Sequence, residues 1–286
     1  MDFNDIQRHL NEVMKEQNNR SLPEFEGYSP LEMHRILHFT FGAECPVKLQ
    51  KLSDAEYDQI PLLHQVKLLA EMIDKNGEIK LTNKGFLPTK IVSDLYHQGH
   101  MKDERIDKGF IKLYKETDSI TVNLTRVLIE LAGLTKKRNM RLSLTKSSAK
   151  ILSDNHELLK LILATFTEKF NWAYYDGYGE NHIGQLGYGF SLILLSKYGQ
   201  EKRQDTFYAT RYFKAFPNLL DSVNHNYGTV ESYSANCYSI RTFDRFMDYF
   251  GLVNISEEGK GFDSKTYVEK TGIFDRLIKI EPHRKF

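Results

Sequence analysis

The residues best suited to chemistry form a small cluster of acids and a histidine inside a stretch rich in glycine and aromatic residues. Asp176, Glu180 and His182 lie close together in the segment NWAYYDGYGENHIGQLGYGF, which runs from Asn171 to Phe190. Carboxylate oxygens and an imidazole nitrogen can ligate a divalent metal or transfer protons. The spacing matches no established motif, so these three residues are only candidate metal ligands, and we name no catalytic residue and no cofactor.

The aromatic residues of the same stretch allow two further interpretations. The interpretation that we favour is structural packing, because glycine at this density indicates tight turns and close backbone approach. The alternative is a groove in which rings bind a peptide or stack on the bases of single-stranded nucleic acid. The rings concerned are Trp172, Tyr174, Tyr175, Tyr178 and Tyr188.

A second distinctive stretch is a basic run without any acid, from Thr135 to Leu152. Cations in such a run can bind the phosphates of a nucleic acid. Asn123 and Arg126 precede it on a predicted helix, where we expect them to face solvent and reach base edges. The alternative is a solvated edge strand whose lysines prevent pairing with another strand. The basic residues of the run are Lys136, Lys137, Arg138, Arg141, Lys146 and Lys150.

The whole chain gives no general attraction to polyanions. Its 286 residues hold 39 Lys and Arg against 38 Asp and Glu, a net charge of +1, so contact with nucleic acid requires a local patch. Cys45 and Cys237 are far apart, which argues against a disulfide scaffold and suits a reducing compartment. The apolar runs are too short to cross a bilayer, and no signal peptide is evident. We therefore expect a cytoplasmic protein without a membrane partner.

Two stretches share an order of elements that would display these residues. Asp74 to Gln98 and Thr135 to Asp154 each follow an amphipathic helix and contain a short alternating strand that ends in Leu-Thr. Each then turns on small or polar residues and continues as helix. A third region, from Tyr238 to Ile278, predicts a helix, two strands around 252–255 and 265–268, and a final helix.

This order resembles winged-helix modules, in which a β-hairpin wing follows a recognition helix. The pattern "GL…L-LT-x-x-G" is similar to the wings of MarR-like and PadR-like bacterial proteins, and it covers roughly 54–98, 118–156 and 230–280. The resemblance implies a mostly α fold with minor β, built from tandem winged-helix-like units with short β-hairpins and a helical C-terminal half. The implied divisions are an N-terminal helical arm (1–50), two winged-helix-like units (51–157), an aromatic and glycine-rich helical region (158–229) and a third winged-helix-like unit (230–286).

The function implied by the resemblance is binding of double-stranded DNA through a helix-turn-helix, as in transcriptional regulators. Winged-helix units also serve as docking modules for proteins, so interaction with a protein partner without DNA binding is the first alternative. An enzyme or metal-binding protein that uses Asp176, Glu180 and His182 is the second. We expect a non-enzymatic role over an enzymatic one.

Overall fold

The chain folds mostly as α-helix with minor β, as the sequence predicts, and the strands of its described residues form three small antiparallel sheets. The computed structural model describes residues 3–174, 176–221, 223–224, 228–259 and 264–283. The chain divides into two compact units. Unit 1 comprises residues 1–50, 176–248 and 252–286, and unit 2 comprises residues 51–175 and 249–251.

Unit 1 begins with two helices and a strand. The second helix starts with a capping box, in which Ser29 and Glu32 satisfy each other's backbone N–H groups, and with Pro30 in its first turn. Ser29 and Glu32 are both buried, which fixes this helix start firmly within the unit. The elements are α1 (Phe3–Asn19), α2 (Pro30–His38) and β1 (Val47–Leu49).

Unit 2 is a helical bundle whose core follows the predicted apolar periodicity. Leu63, Val66 and Ile73 of the long helix α4 are fully buried, and Leu124 and Leu128 of α7 are buried with them. A π-helical turn (Thr165–Lys169) extends the last helix. The helices are α3 (Asp54–Tyr57), α4 (Pro61–Asn76), α5 (Thr89–Gln98), α6 (Glu104–Asp107), α7 (Ile120–Leu131), α8 (Ser148–Leu152) and α9 (Asn155–Ala164).

The two Leu-Thr stretches of unit 2 build one sheet and not two separate wings. Its strands are β2 (Ile79–Lys80), β3 (Thr135–Arg138) and β4 (Arg141–Leu144), in the order β2-β4-β3. The first stretch therefore supplies a single strand, and the only hairpin among these three strands is β3–β4. The expectation of a wing in each stretch is corrected, because β2 finds its partner in the second stretch.

The hairpin turns at Asn139 and Met140, which both have positive φ angles, 49° and 56°. Positive φ at both central residues is the type I′ geometry that matches the twist of paired strands. Asn adopts this region readily, whereas Met does so at a cost. The turn places Arg138 of β3 directly opposite Arg141 of β4.

The rest of unit 1 contains a second three-stranded sheet, in which β7 (Lys265–Lys270) lies between β5 (Arg203–Gln204) and β6 (Val253–Glu258). It also contains β8 (Ile278–Ile280), which pairs with β1. The strand pair predicted in the third region forms as β6–β7, while residues 260–263 of its loop lie outside the described residues. A long π-helical segment (Ile240–Met247) continues α13. The elements are α10 (Tyr188–Tyr198), β5 (Arg203–Gln204), α11 (Asp205–Ala215), α12 (Asn218–Asp221), α13 (Val230–Ser239), β6 (Val253–Glu258), β7 (Lys265–Lys270), α14 (Gly272–Leu277) and β8 (Ile278–Ile280).

Candidate nucleic-acid interface

Three cationic side chains are cross-strand neighbours on the three strands of the sheet of unit 2. Arg138 of β3 is directly opposite Arg141 of β4, and Arg141 is directly opposite Lys80 of β2. Residues paired in this way lie on the same face of a sheet, and adjacent strands are about 4.8 Å apart. All three residues are exposed. We call Lys80, Arg141 and Arg138 the cationic row.

Two lysines of β3 extend the positive surface beyond the cationic row. Lys136 is exposed and pairs with Ser143, so it lies two positions along the same face. Lys137 lies on the opposite face, where it pairs with the buried Leu142. The Nζ of Lys137 reaches the turn at Gly85, only 2.5 Å from where a β-carbon at that glycine would lie. Both faces of the hairpin tip therefore carry positive charge.

Only one member of the cationic row has a counter-ion among the described residues. Arg141 forms an ion pair with Glu78 through its Nη1. No ion pair in the described part of the chain involves Lys80, Arg138 or the neighbouring Lys136. Like charges directly opposite each other destabilise a strand pair. The arrangement is therefore unfavourable for the sheet itself and suits an external anion.

Lys146 and Lys150 are exposed but do not belong to this surface. Both follow Leu144, the end of β4, which lies about 10 Å along the strand from Arg141 because a strand advances about 3.3 Å per residue. A groove of about 320 Å³ at the end of β4 is lined by Glu71 and Asp74 of α4, by one cation, Lys67, and by mostly apolar side chains that include Leu144 and Ala149. These carboxylates make the base of the hairpin less suitable for phosphate than its tip.

Asn123 and Arg126 are placed inside unit 2, contrary to the expectation that they face solvent. The side chain of Asn123 is 2% exposed and that of Arg126 is 12% exposed. Both donate to the buried carboxylate of Glu116, Asn123 through Nδ2 at 2.6 Å and Arg126 through Nε at 2.6 Å. A buried carboxylate needs such partners, so these residues satisfy Glu116 and are withdrawn from solvent.

The rest of α7 offers little surface to a nucleic acid. Seven of its 12 residues are buried, and the most exposed one, Leu131 at its end, is apolar and 41% exposed. A recognition helix needs a polar face that can enter the major groove. The exposed surface of this region therefore belongs to the hairpin β3–β4 and not to α7, which precedes it.

Asp176 is not available as a metal ligand. Its carboxylate accepts a hydrogen bond from Arg241 Nε, and both side chains are fully buried in unit 1. The other guanidinium nitrogens of Arg241 donate to the carbonyl oxygens of Asn181 and Gly179 at 2.8 Å and 3.0 Å. Arg241 therefore ties the glycine-rich loop to the π-helical segment.

Glu180 and His182 are exposed, and they complete no metal site. Within the described ranges, no group of three or more His, Cys, Asp and Glu side chains could hold a metal ion. The expectation that Asp176, Glu180 and His182 are candidate metal ligands is thus corrected by the burial of Asp176 against Arg241.

The rings of this stretch are divided between buried and exposed positions, and Tyr178 is half-buried with its ring centroid 4.9 Å from that of Tyr233. Trp172 is buried in unit 2, and its Nε1 donates to the carbonyl oxygen of Phe166 at 2.8 Å. Tyr188 is buried in unit 1. Tyr174 is 40% exposed, and Tyr175 lies outside the described residues.

Four residues that organise these sites have no distinctive sequence motif. Lys80 could have been found from the alternation in Glu78-Ile79-Lys80-Leu81, which places it on the polar face of its strand. Glu116 and Arg241 become recognisable only through partners distant in sequence, and Glu78 only through the strand register.

Among the described helices, none combines the length and the apolar character that crossing a membrane requires.

Comparisons with known proteins bear on unit 2 alone. No curated protein and no solved structure matches the chain. Residues 58–157 match the family described as the Y4jL N-terminal domain. This range includes α4, the whole of α7 and the three strands β2, β3 and β4.

Proposed function

We propose that the hairpin β3–β4 of unit 2 binds the phosphate backbone of double-stranded DNA. The observation that carries the proposal is the cationic row, in which Lys80, Arg141 and Arg138 stand on adjacent strands. Their mutual repulsion costs stability in the free protein, and phosphate oxygens would relieve it. Keeping the edge strands β2 and β3 from pairing with another strand would not require the charge of Arg141 on the central strand β4.

The order of elements in unit 2 supports this proposal. Helix α4, strand β2, helices α5 and α7 and the hairpin β3–β4 follow one another, with β2 beside β4. This resembles one winged-helix module with an insertion between α5 and α7, in which β3–β4 takes the place of the wing. A wing is a hairpin that projects beside its helix, which is a position suited to backbone contact.

The proposed contact is to phosphates rather than to bases. Asn123 and Arg126, which could read base edges, are engaged with Glu116. Phosphate contacts position a protein on a duplex and carry no direct sequence information. Unit 2 would therefore bind duplexes of different sequence with similar affinity, and a regulatory role would need base contacts from elsewhere.

The test is the salt dependence of binding to a fluorescently labelled duplex, measured by anisotropy. Each phosphate contact contributes about −0.9 to the slope of log affinity against log salt concentration. The variant Lys80→Ala/Arg138→Ala/Arg141→Ala should bind much more weakly at low salt, with a slope shallower by about 2–3. Binding should be nearly independent of the duplex sequence.

The matched control removes three exposed cations elsewhere, Lys15→Ala/Lys169→Ala/Lys214→Ala. It makes the same change in net charge, so it should retain most of the affinity and the original slope. The proposal is wrong if the wild-type protein fails to bind any duplex at low salt, or if both triple variants lose affinity equally.

A second candidate function, docking of a protein partner, is favoured by one other feature of unit 2. Phe110 is 78% exposed and Tyr114 is 62% exposed, in the segment between α6 and the 3₁₀ turn at Glu116–Asp118. Large exposed aromatic side chains are enriched where proteins bind proteins. Capture of a partner from nuclease-treated lysate that is lost in Phe110→Ser/Tyr114→Ser would support this function.

A further inference from the structure

A pocket of about 330 Å³ lies in unit 1 beside the C-terminal end of α10. Its wall is mostly apolar, and a few polar side chains converge on it, which is a composition typical of sites for small molecules. The apolar residues include Ile193 and Ile280, and the polar ones are Glu26, Ser196, Lys197 and His283.

The buried carboxylate of Glu32 fixes the His283 ring at the edge of this pocket. Glu32 Oε2 lies 2.6 Å from His283 Nδ1, and the same oxygen accepts the backbone N–H of Ser29 at 2.9 Å. The side chain of Glu32 is only 2% exposed, so it offers little freedom to the ring that it holds. The other ring nitrogen, Nε2, has no hydrogen bond among the described residues and is left for a ligand.

The carboxylate of Glu26, across the pocket, already has its partners. Its Oε2 accepts hydrogen bonds from Lys197 Nζ and from Tyr198 Oη, both at 2.6 Å. Arg211 Nε lies 3.5 Å from the other oxygen, Oε1. Two cations therefore neighbour a single carboxylate, and this side of the pocket has an excess of positive charge.

Hydrogen-bond donors with spare capacity outnumber free acceptors in the pocket. Lys197 has three N–H groups, one of which goes to Glu26. Ser196 is half-buried, and its hydroxyl has no hydrogen bond in the described part of the chain. His283 donates through both nitrogens when its ring is protonated. The complementary ligand is therefore one that supplies acceptor oxygens and negative charge.

The charges around the pocket favour a ligand with a single negative charge. With His283 protonated, three cations oppose two carboxylates, which leaves one positive charge. A carboxylate carries one negative charge, whereas a phosphate group carries nearly two at neutral pH. The C-terminal end of α10 has partial negative character, but Lys197 in its last turn offsets it. The cations are Lys197, Arg211 and His283, and the carboxylates are Glu26 and Glu32.

We infer that this pocket of unit 1 binds a small organic carboxylate, whose oxygens accept hydrogen bonds from His283 Nε2 and Ser196 Oγ. The apolar part of the ligand packs against Ile193 and Ile280, and Lys197 stabilises its charge. Glu32 acts as a positioning residue, because it orients the ring and does not line the pocket. This inference concerns unit 1 and is independent of DNA binding by unit 2.

The test is a ligand-observed NMR titration of the full chain with benzoate, and benzyl alcohol is the neutral analogue. Benzoate should bind with a dissociation constant on the order of 1 mM or below, and benzyl alcohol at least about tenfold more weakly. Ser196→Ala should weaken benzoate binding about tenfold, because a hydrogen bond to a charged group is lost. This variant removes a hydroxyl that has no partner in the free protein, so the fold should not change.

The role of His283 is tested by the pH dependence of benzoate binding. Affinity should rise as the pH falls from about 8 to about 6, because only the protonated ring donates to Glu32 and to the ligand at once. In His283→Gln this dependence should disappear, although the variant keeps the other ionisable groups near the ring: Tyr28, Glu26, Glu32, Lys197 and Glu281. The control His182→Gln changes an exposed histidine of unit 1 and should bind like the wild type.

Three results would overturn the inference. The first is a wild-type chain that does not bind benzoate at concentrations up to about 10 mM, far above the expected dissociation constant. The second is benzoate binding that is unchanged in both Ser196→Ala and His283→Gln, since the ligand would then occupy another surface. The third is tighter binding of benzyl alcohol or of inorganic phosphate than of benzoate, because the pocket would then not select a carboxylate.

Discussion

Arg126 Nε lies 2.6 Å from Glu116 Oε1 in the interior of unit 2, where Glu116 is fully buried. The other oxygen of Glu116 accepts the backbone N–H of Leu87 at 2.7 Å. Burial alone would lower the pKa of the Arg126 guanidinium, but the hydrogen bonds and charges of Glu116 and Glu130 raise it above its ordinary value. The pair therefore stays charged and links α7 to the segment before α5.

Replacing Arg126 by Ala should destabilise unit 2 strongly. It leaves the carboxylate of Glu116 buried without its cation, a change that costs about 3–5 kcal/mol in comparable pairs. The single tryptophan, Trp172, lies in unit 2, so its fluorescence during urea unfolding reports on this unit. Arg138→Ala is the control, since an exposed residue should change the free energy of unfolding by less than about 0.5 kcal/mol.

The double variant Glu116→Leu/Arg126→Leu separates burial of an unpaired charge from loss of packing. It removes both charges together, so it should recover part of the stability lost in Arg126→Ala. If Arg126→Ala unfolds at the wild-type urea concentration, then the pair contributes nothing to the fold.

The burial of Asn123 and Arg126 shows why a sequence predicts the presence of a helix more readily than it predicts which side of the helix faces solvent. The apolar spacing of Leu124 and Leu128 was sufficient to predict α7. The side that faces solvent also depends on what packs over the helix. Glu116 enters the core from outside the helix, and its partner Leu87 lies far away in sequence, so no local pattern predicts that contact.

The sheet of unit 2 illustrates the same difference for strands. Alternation identified Ile79-Lys80 and Arg141-Leu142 as strand residues, because alternation is local. Their pairing with each other depends on the fold that brings the two stretches together. The basic run was therefore visible in the sequence, and alternation placed Lys80 on the polar face of its strand, but the position of Lys80 beside Arg141 was not predictable.

Replacing Arg241 by Met should loosen the glycine-rich loop of unit 1. Arg241 is the buried partner of Asp176 and of carbonyl oxygens in that loop, so its loss leaves a buried carboxylate and unpaired carbonyl groups. We expect faster proteolytic cleavage between Gly177 and Gly184 than in the wild-type protein. The exposed Lys214→Met is the matched control and should be cleaved at the wild-type rate.

Metal binding at Asp176, in the glycine-rich loop of unit 1, can be tested directly. Added zinc or magnesium should leave the thermal unfolding of the wild-type chain unchanged, because the carboxylate of Asp176 is already engaged by Arg241. A metal-dependent rise in melting temperature that disappears in Asp176→Asn would contradict the structural role.

Acidification should destabilise unit 2 through His100. His100 is exposed, but its ring stacks on His64 with the ring centroids 3.9 Å apart. Partial desolvation by this packing, the His64 ring and Lys102 lower the pKa of His100 below its ordinary value, and the charge of Asp58 opposes them. The unfolded chain then binds a proton more readily than the folded one. The stability that His100 contributes is complete above pH of about 6.5 and declines as the pH falls toward its folded pKa.

Urea unfolding followed by Trp172 fluorescence at several pH values measures this loss. In His100→Asn the decline between neutral and mildly acidic pH should be shallower, because the asparagine does not titrate. His9→Asn is the control, since His9 belongs to unit 1 and not to the unit that holds Trp172. An unchanged pH profile in His100→Asn would show that the stacked pair does not govern the acid sensitivity of unit 2.

Replacing Arg138 by Glu should change stability and DNA binding in opposite directions. A glutamate at this position is directly opposite Arg141, so it turns a repulsive cross-strand pair into an attractive one. Such a pair contributes roughly 0.2–1 kcal/mol. Thermal unfolding should therefore occur at a slightly higher temperature, while affinity for a duplex at low salt should fall by at least about tenfold, because a phosphate contact becomes a repulsion.

Lys146→Glu is the control, because it makes the same change of charge beyond the end of β4, where no cation is directly opposite. It should leave the stability nearly unchanged and should weaken duplex binding much less than Arg138→Glu does. If Arg138→Glu is more stable and still binds like the wild type, the repulsion in the cationic row is real but serves no anion. If it is less stable, the strand register that defines the row is wrong. Only the combination of higher stability and weaker binding fits a surface whose charges are arranged for a phosphate backbone at the expense of the sheet that carries them.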